Sequence, residues 1–150
     1  MMTLFRAVAV SLIAACLLAG GVTAQEAKNT MPLIQPAELA QILKSSAAQR
    51  PLALQVGFRV LYASHHIPAA EYAGPASDEG GLKALRARVN SLPRKTFIVL
   101  YCGCCPWTHC PNVHPAFAAL QSMGFTNVKV LYLADNFRTD WMDKGYPVEK

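Results

Sequence analysis

Ile98-Val99-Leu100-Tyr101-Cys102-Gly103-Cys104-Cys105-Pro106-Trp107-Thr108-His109-Cys110-Pro111-Asn112-Val113-His114-Pro115 is the stretch that decides how this chain is read. From Thr96 to Tyr101 the sequence is β-rich and nearly all apolar, the pattern of a strand buried on both faces. A loop over 102–112 follows, with Cys102, Cys104, Cys105 and Cys110 inside nine residues and His109 and His114 beside them. Pro115 to Met123 then reads as a helix stopped by Gly124. In an open α/β sheet, active sites gather where a strand ends. A helix N-terminus adds unpaired N–H groups and a positive dipole end, which favour the thiolate, the nucleophilic form of cysteine.

Outward from this segment, strands alternate with helices. Pro36 to Lys44 is predicted as a helix, with Pro in its first turn and Leu39, Ile42 and Leu43 on one face. Leu52 to Val56 is a short strand bounded by Pro51 and Gly57. Residues 57–80 read as a long irregular stretch. Gly81 to Leu92 is amphipathic, with Leu82, Leu85, Val89 and Leu92 at helical spacing, and Pro93 ends it. Val128 to Leu133 is a further strand, and Phe137 to Lys144 a closing helix before Gly145. The alternation implies an α/β fold, a parallel sheet flanked by helices on both faces. Phe117, Phe125 and Trp141 are core candidates.

The length of 150 residues argues for one domain, and 53% hydrophobic against 15% charged residues excludes general disorder. No G-x-x-x-x-G-K-[ST] phosphate loop and no H-E-x-x-H zinc motif occurs. The N-terminal 24 residues read as a Sec-type signal peptide. Arg6 precedes an apolar run from Ala7 to Leu18, and Val22-Thr23-Ala24 places small residues for cleavage before Gln25. A lone Arg makes no twin-arginine signal. Ile13-Ala14-Ala15-Cys16 resembles a lipobox, but the residues after Cys16 stay apolar through Val22, which disfavours a lipoprotein. The expected product is therefore periplasmic or secreted, with no stable membrane span. Its domains are a signal peptide over 1–24, a leader over 25–32 and one α/β domain over 33–150. Cleavage removes Cys16, so all remaining cysteines lie in the loop. The densest basic stretch, Arg86, Arg88, Arg94 and Lys95, has no aromatic interleaving, so nucleic acid is not expected as a partner.

Three chemistries compete for the loop. Disulfides suit an exported protein, but across such short loops they are inefficient staples. Cys102 and Cys105 have the C-x-x-C spacing of a zinc or iron–sulfur site, which His109, Cys110 or His114 would complete. Thiol chemistry is the third. His109 adjoins Cys110 and, as a cation, would lower a thiol pKa. Trp107 reads as a lid or packing residue, His65 as a surface residue and His114 as a first-turn residue.

The order of these pieces resembles a single rhodanese-like domain over residues 33–150. Leu33-Ile34-Gln35-Pro36-Ala37-Glu38-Leu39 is similar to the family's opening segment, and His66-Ile67-Pro68-Ala69-Ala70 to its G-H-I-P-G-A stretch. Ile98-Val99-Leu100-Tyr101-Cys102 resembles the strand that delivers the catalytic cysteine. Gly124-Phe125-Thr126-Asn127-Val128 and the segment from Trp141 to Val148 resemble its closing parts. The resemblance implies a sulfurtransferase in which Cys102 takes sulfane sulfur from a small donor, becomes a persulfide and passes the sulfur to a thiol acceptor or a protein thiol. It gives His66 a role in orienting the stretch before Ala69. No cofactor is expected on this reading.

The sequence departs from the family pattern in three places. No Lys or Arg lies between Cys102 and Pro115, where the family often carries a donor-binding Arg. Arg59 and His109 are the candidates to replace it. Gln55-Val56-Gly57 stands where the family has Asp-Val-Arg, and Asp135-Asn136 where it has a glycine pair. The extra cysteines suggest a second use of the scaffold, thiol–disulfide redox chemistry. Cys102 would attack and Cys105 or Cys104 resolve, with Cys102–Cys105 the best pairing by spacing. A Cys/His metal-binding module is the remaining alternative.

Overall fold

The computed structural model describes residues 31–150. The signal peptide and residues 25–30 of the leader lie outside them. The described chain forms β1 (Leu33–Ile34), α1 (Pro36–Ile42), β2 (Leu52–Gln55), α2 (Arg59–Ser64), β3 (Glu71–Tyr72), α3 (Glu79–Val89), β4 (Ile98–Tyr101), α4 (Val113–Ser122) and β5 (Val128–Leu131). A π-helical turn, Arg138–Met142, closes it. All strand pairs are parallel, in the order β1-β5-β4-β2-β3. No described helix is long and apolar enough to cross a membrane.

β4 is central, and all four of its residues are buried, as its apolar sequence requires. Alternation along β4 builds two cores. Ile98, Leu100 and Cys102 join Leu85, Val89, Phe117 and Leu120 of α3 and α4. Val99 and Tyr101 join Leu39, Ile67, Phe137 and Trp141 on the other face. The parity of the strand thus turns the Cys102 side chain toward α4.

The stretch 57–80 differs from its reading as irregular. α2 buries none of its six residues and has no side-chain cap, so no amphipathic pattern marks it. It is held through Tyr62, whose hydroxyl donates to Ala70 O at 2.8 Å and whose ring stacks on His66 at 4.1 Å. β1 and β3 are two-residue edge strands that exist by pairing with β5 and β2. α3 begins two residues earlier than its apolar spacing implies, because Asp78 caps it: Oδ1 accepts from Gly81 N at 2.8 Å. Arg88 of α3 forms a two-pronged ion pair with Glu71 of β3, tying helix to sheet edge.

The closing helix expected over Phe137–Lys144 is instead the single π-helical turn, in which Asp143 N bonds Arg138 O at 2.8 Å. The wider turn seats Trp141, fully buried, with its Nε1 donating to Pro147 O at 2.9 Å. His66 exchanges backbone hydrogen bonds with Glu149, and Glu149 Oε2 accepts from Ala69 N at 2.9 Å. The last residues therefore brace the His66–Ala69 segment.

Gly81 packs so tightly that a Cβ there would stand 1.9 Å from the Pro75 carbonyl oxygen. In an open helix Gly→Ala gains roughly 1 kcal/mol. Here Gly81→Ala is expected to destabilise by about 2 kcal/mol or more, because backbone must move. The shift in denaturant midpoint measures it.

Candidate functional site

The site begins where β4 ends. Gln55, the last residue of β2, is 1% exposed. Its Nε2 donates to Cys102 O at 2.6 Å, and its Oε1 accepts from Gly57 N at 3.2 Å. Gly57 lies so close to the cysteine that an added Cβ would sit 2.6 Å from Cys102 Sγ. The glycine at this position is thus a steric requirement of the site. Gly103, at φ +95°, turns the chain away, and its carbonyl accepts from Phe137 N at 3.1 Å. Trp107 N donates to Leu133 O at 3.0 Å, fixing the middle of the loop to the segment after β5.

Asn112 precedes α4 without capping it, although it is completely buried. Its Oδ1 accepts from Ser77 N at 2.9 Å, and its Nδ2 donates to Cys102 Sγ at 3.3 Å. One side chain therefore joins the segment before α3 to the cysteine loop.

The loop brings its four cysteines together as free thiols, with all Sγ atoms within 4.8 Å of one another. Cys102 and Cys110 are buried, at 3% and 2% exposure, while Cys104 and Cys105 are half-buried. Cys104 Sγ is 3.3 Å from Cys102 Sγ and 2.9 Å from Cys105 Sγ. The neighbouring Cys110 thiol, together with burial, raises the Cys102 pKa above the ordinary thiol value. Burial pushes Cys105 up to about 12. Cys110 is held down to about 6, first by the neighbouring Cys102 thiol and further by the N–H groups of Asn112 and Val113 at the head of α4. The helix N-terminus thus acts on Cys110, and charge is favoured there over Cys102.

The four thiols include three of the residues that the sequence offered as metal ligands, Cys102, Cys105 and Cys110, with Cys104 as the fourth. His109 stands apart from them, exposed, with Nδ1 2.9 Å from Thr108 Oγ1. His114 is exposed at the start of α4, and its ring stacks on Trp107 with centroids 6.3 Å apart. Trp107 is half-buried against His114 and Tyr132, a packing position.

Cys102 and Cys104 form one wall of a cleft of about 370 Å³ that Leu61, His65, Phe137 and Arg138 also line. His65, read from sequence as a surface residue, is half-buried here, with Nδ1 3.0 Å from Ser64 Oγ. Arg59 does not line the cleft; its guanidinium lies 4.4 Å from the centroid of the Tyr72 ring. The arginine in the cleft is Arg138, from the π-helical turn, and among the described residues its side chain has no ion-pair or hydrogen-bond partner. Sequence spacing did not reveal Arg138, which is 36 positions from Cys102. Gln55 and Asn112 left a faint signal, a polar residue ending an apolar strand and another preceding an apolar helix.

No protein-family model and no curated protein matches the chain. Solved structures do. The rhodanese-like domain of an Anabaena protein is 23% identical, with 80% of each chain covered and a TM-score of 0.56. A protein of unknown function from Rhodopseudomonas palustris, described as a possible tyrosine phosphatase, is 19% identical over 83% of this chain and 89% of its own, at TM-score 0.57. A thiosulfate sulfurtransferase from Pseudomonas aeruginosa is 23% identical over 81% of this chain and 20% of its own length, at TM-score 0.56. The chain therefore has the rhodanese-like fold that its sequence resembles. The activities named for these structures differ, so the fold alone leaves the chemistry to the site.

Two substitutions test the anchoring of the loop. Gln55→Leu leaves the Cys102 carbonyl and the Gly57 N–H buried and unpaired and is expected to cost about 2–4 kcal/mol. Gly57→Ala forces Cys102 Sγ to move and is expected to cost about 1–3 kcal/mol. Chemical denaturation measures both, and the rate of Cys102 alkylation reports the displacement in Gly57→Ala.

Proposed function

We propose that this chain is a rhodanese-like sulfurtransferase that carries sulfane sulfur on Cys102. The observation that carries this reading is the placement of Cys102 at the C-terminal end of the central strand, against a cleft, with its sulfur receiving the Asn112 Nδ2–H. An amide donor there suits the extra negative sulfur of a persulfide.

The step balances within the site. The Cys102 sulfur bonds the outer sulfur of the donor, the donor's S–S bond breaks, and the leaving group departs with the electron pair. The Cys102 proton passes to Cys110, whose Sγ lies within 4.8 Å and whose pKa is held low. An acceptor thiolate then attacks the outer sulfur and releases Cys102. Arg138, which lines the same cleft, supplies a cation for an anionic donor that the loop itself lacks. Export by residues 1–24 would place this chemistry in the periplasm or outside the cell.

A second reading is favoured by the thiols at hand. Cys104 Sγ lies 3.3 Å from Cys102 Sγ, and Cys105 belongs to the same cluster. Either thiol could displace sulfide from a Cys102 persulfide and leave a disulfide, which would make the protein a thiol redox enzyme.

Intact mass of the reduced protein after exposure to thiosulfate, or to an uncharged organic polysulfide, tests both readings. Sulfur transfer predicts the gain of one sulfur atom, absent in Cys102→Ser and about 10²-fold slower in Cys110→Ser, which lacks the proton acceptor. Redox turnover predicts loss of two hydrogens and a Cys102 disulfide instead. Arg138→Ala is expected to raise KM for thiosulfate about 10-fold and leave the uncharged donor unaffected, with partial rescue by Arg138→Lys. For export, N-terminal sequencing of the extracytoplasmic protein is expected to begin at Gln25.

A further inference from the structure

Four sulfurs packed this closely are more than a sulfur carrier needs. A persulfide requires one cysteine and a disulfide two. Here Cys102, Cys104, Cys105 and Cys110 converge so that every Sγ lies within 4.8 Å of every other. A tetrahedral zinc site with Zn–S of about 2.3 Å has S···S edges of about 3.8 Å. The spacing in the loop brackets that value, from 2.9 Å between Cys104 and Cys105 upward. The convergence of adjacent Cys104 and Cys105 follows from the bend of the loop after Gly103, whose φ is +95°.

The surroundings suit a thiolate-bound cation in three further respects. Asn112 Nδ2 donates to Cys102 Sγ at 3.3 Å while its Oδ1 is held by Ser77 N, an outer-shell bond of the kind that keeps a metal-binding sulfur in place. No Lys or Arg lies between Cys102 and Pro115, so no side-chain cation of the loop competes for the thiolates. Cys102 and Cys110 are buried while Cys104 and Cys105 are half-exposed, which gives the group a closed inner side and an open outer side through which an ion can enter.

We infer that Cys102, Cys104, Cys105 and Cys110 form a tetrathiolate site for a soft, thiophilic d10 cation of the Zn²⁺ type. His109, the sequence's candidate fourth ligand, is not part of it. Soft thiolates in a tetrahedral S4 set select such an ion over Mg²⁺ or Ca²⁺. Binding replaces thiol protons with metal–sulfur bonds and involves no change of oxidation state. The inference stands on the geometry of the thiols and does not depend on sulfur transfer. It has one consequence for that activity: Cys102 cannot ligate the ion and carry a persulfide together, so the loaded protein is closed to sulfur.

The test uses the reduced, metal-free protein under anaerobic conditions, with Co²⁺ as the optical probe and Zn²⁺ as the competitor. The expected result is one Co²⁺ per chain with the charge-transfer and d–d bands of a tetrahedral tetrathiolate, displaced by one equivalent of Zn²⁺. Cys104→Ser and Cys105→Ser, both at half-exposed positions, should each lose the four-thiolate spectrum and weaken binding at least about 10-fold, while circular dichroism confirms their fold. His109→Ala should bind as the parent does. Bound Zn²⁺ should block sulfur uptake by Cys102, and chelation should restore it. Failure to retain Zn²⁺ against a weak chelator would overturn the inference. So would a spectrum indifferent to Cys104 and Cys105 but altered by His109→Ala, or sulfur uptake unaffected by stoichiometric Zn²⁺. If no sulfur is taken up in any state while the four-thiolate spectrum forms, sulfur transfer fails and the metal site stands.

Discussion

The contact between the ends of β2 and β4 governs the rest of this molecule. Parallel pairing brings Gln55 beside Tyr101, so the buried Gln55 amide meets the next carbonyl, that of Cys102, at 2.6 Å. The same amide holds Gly57, whose missing side chain leaves the space that Cys102 Sγ occupies. A buried amide with both ends paired is stabilising only while both partners remain, so the junction has one arrangement. The loop must leave the sheet from that point, and Gly103, Trp107 and Asn112 each tie it down again before α4 begins. The Cys102 sulfur is thus positioned by sheet register, and the loop conformation follows.

The electrostatics of the loop follow from what surrounds the thiols. Four sulfurs in a half-buried space with no cation among them cannot all ionise, since each thiolate opposes the next. The neighbouring Cys102 thiol favours charge on Cys110, and the N–H groups at the start of α4 add to it. A persulfide places one more charge near the Asn112 amide. A divalent cation removes the repulsion altogether. On the proposed readings the same cluster would have distinct states that differ in where charge is carried, and Cys102 would belong to each.

The rhodanese-like scaffold is shared with structures under 25% identical to this chain, and its site differs from the pattern that the sequence resembles. The loop carries thiols in place of a basic residue, and the cation of the cleft comes from Arg138 on the turn after β5. The glycine of Gln55-Val56-Gly57, which reads as a lost arginine, is what a cysteine packed against that backbone requires.

Local pattern was enough for much of the architecture. The apolar run into Tyr101, the helical spacing of Leu82, Leu85 and Val89 and the clustered cysteines are properties of neighbouring residues, and they are legible because burial of a strand or helix imposes a period on the chain. They led to the parallel sheet, to most of α1, α3 and α4, and to the loop that holds the site. Elements without such a period were not legible. α2 exposes Val60 and Leu61 and buries nothing, β1 and β3 exist only through their neighbours, and the π-helical turn is set by where Trp141 must go. The sequence by itself determined which residues are chemically able to act: four thiols in one loop beyond a buried strand. Only the tertiary structure decided that Cys104 joins them and His109 does not, that Arg138 lines the same cleft, and that Asn112 and Gln55 hold Cys102. Those relations depend on distances between segments far apart in the chain, which close only when the two cores pack.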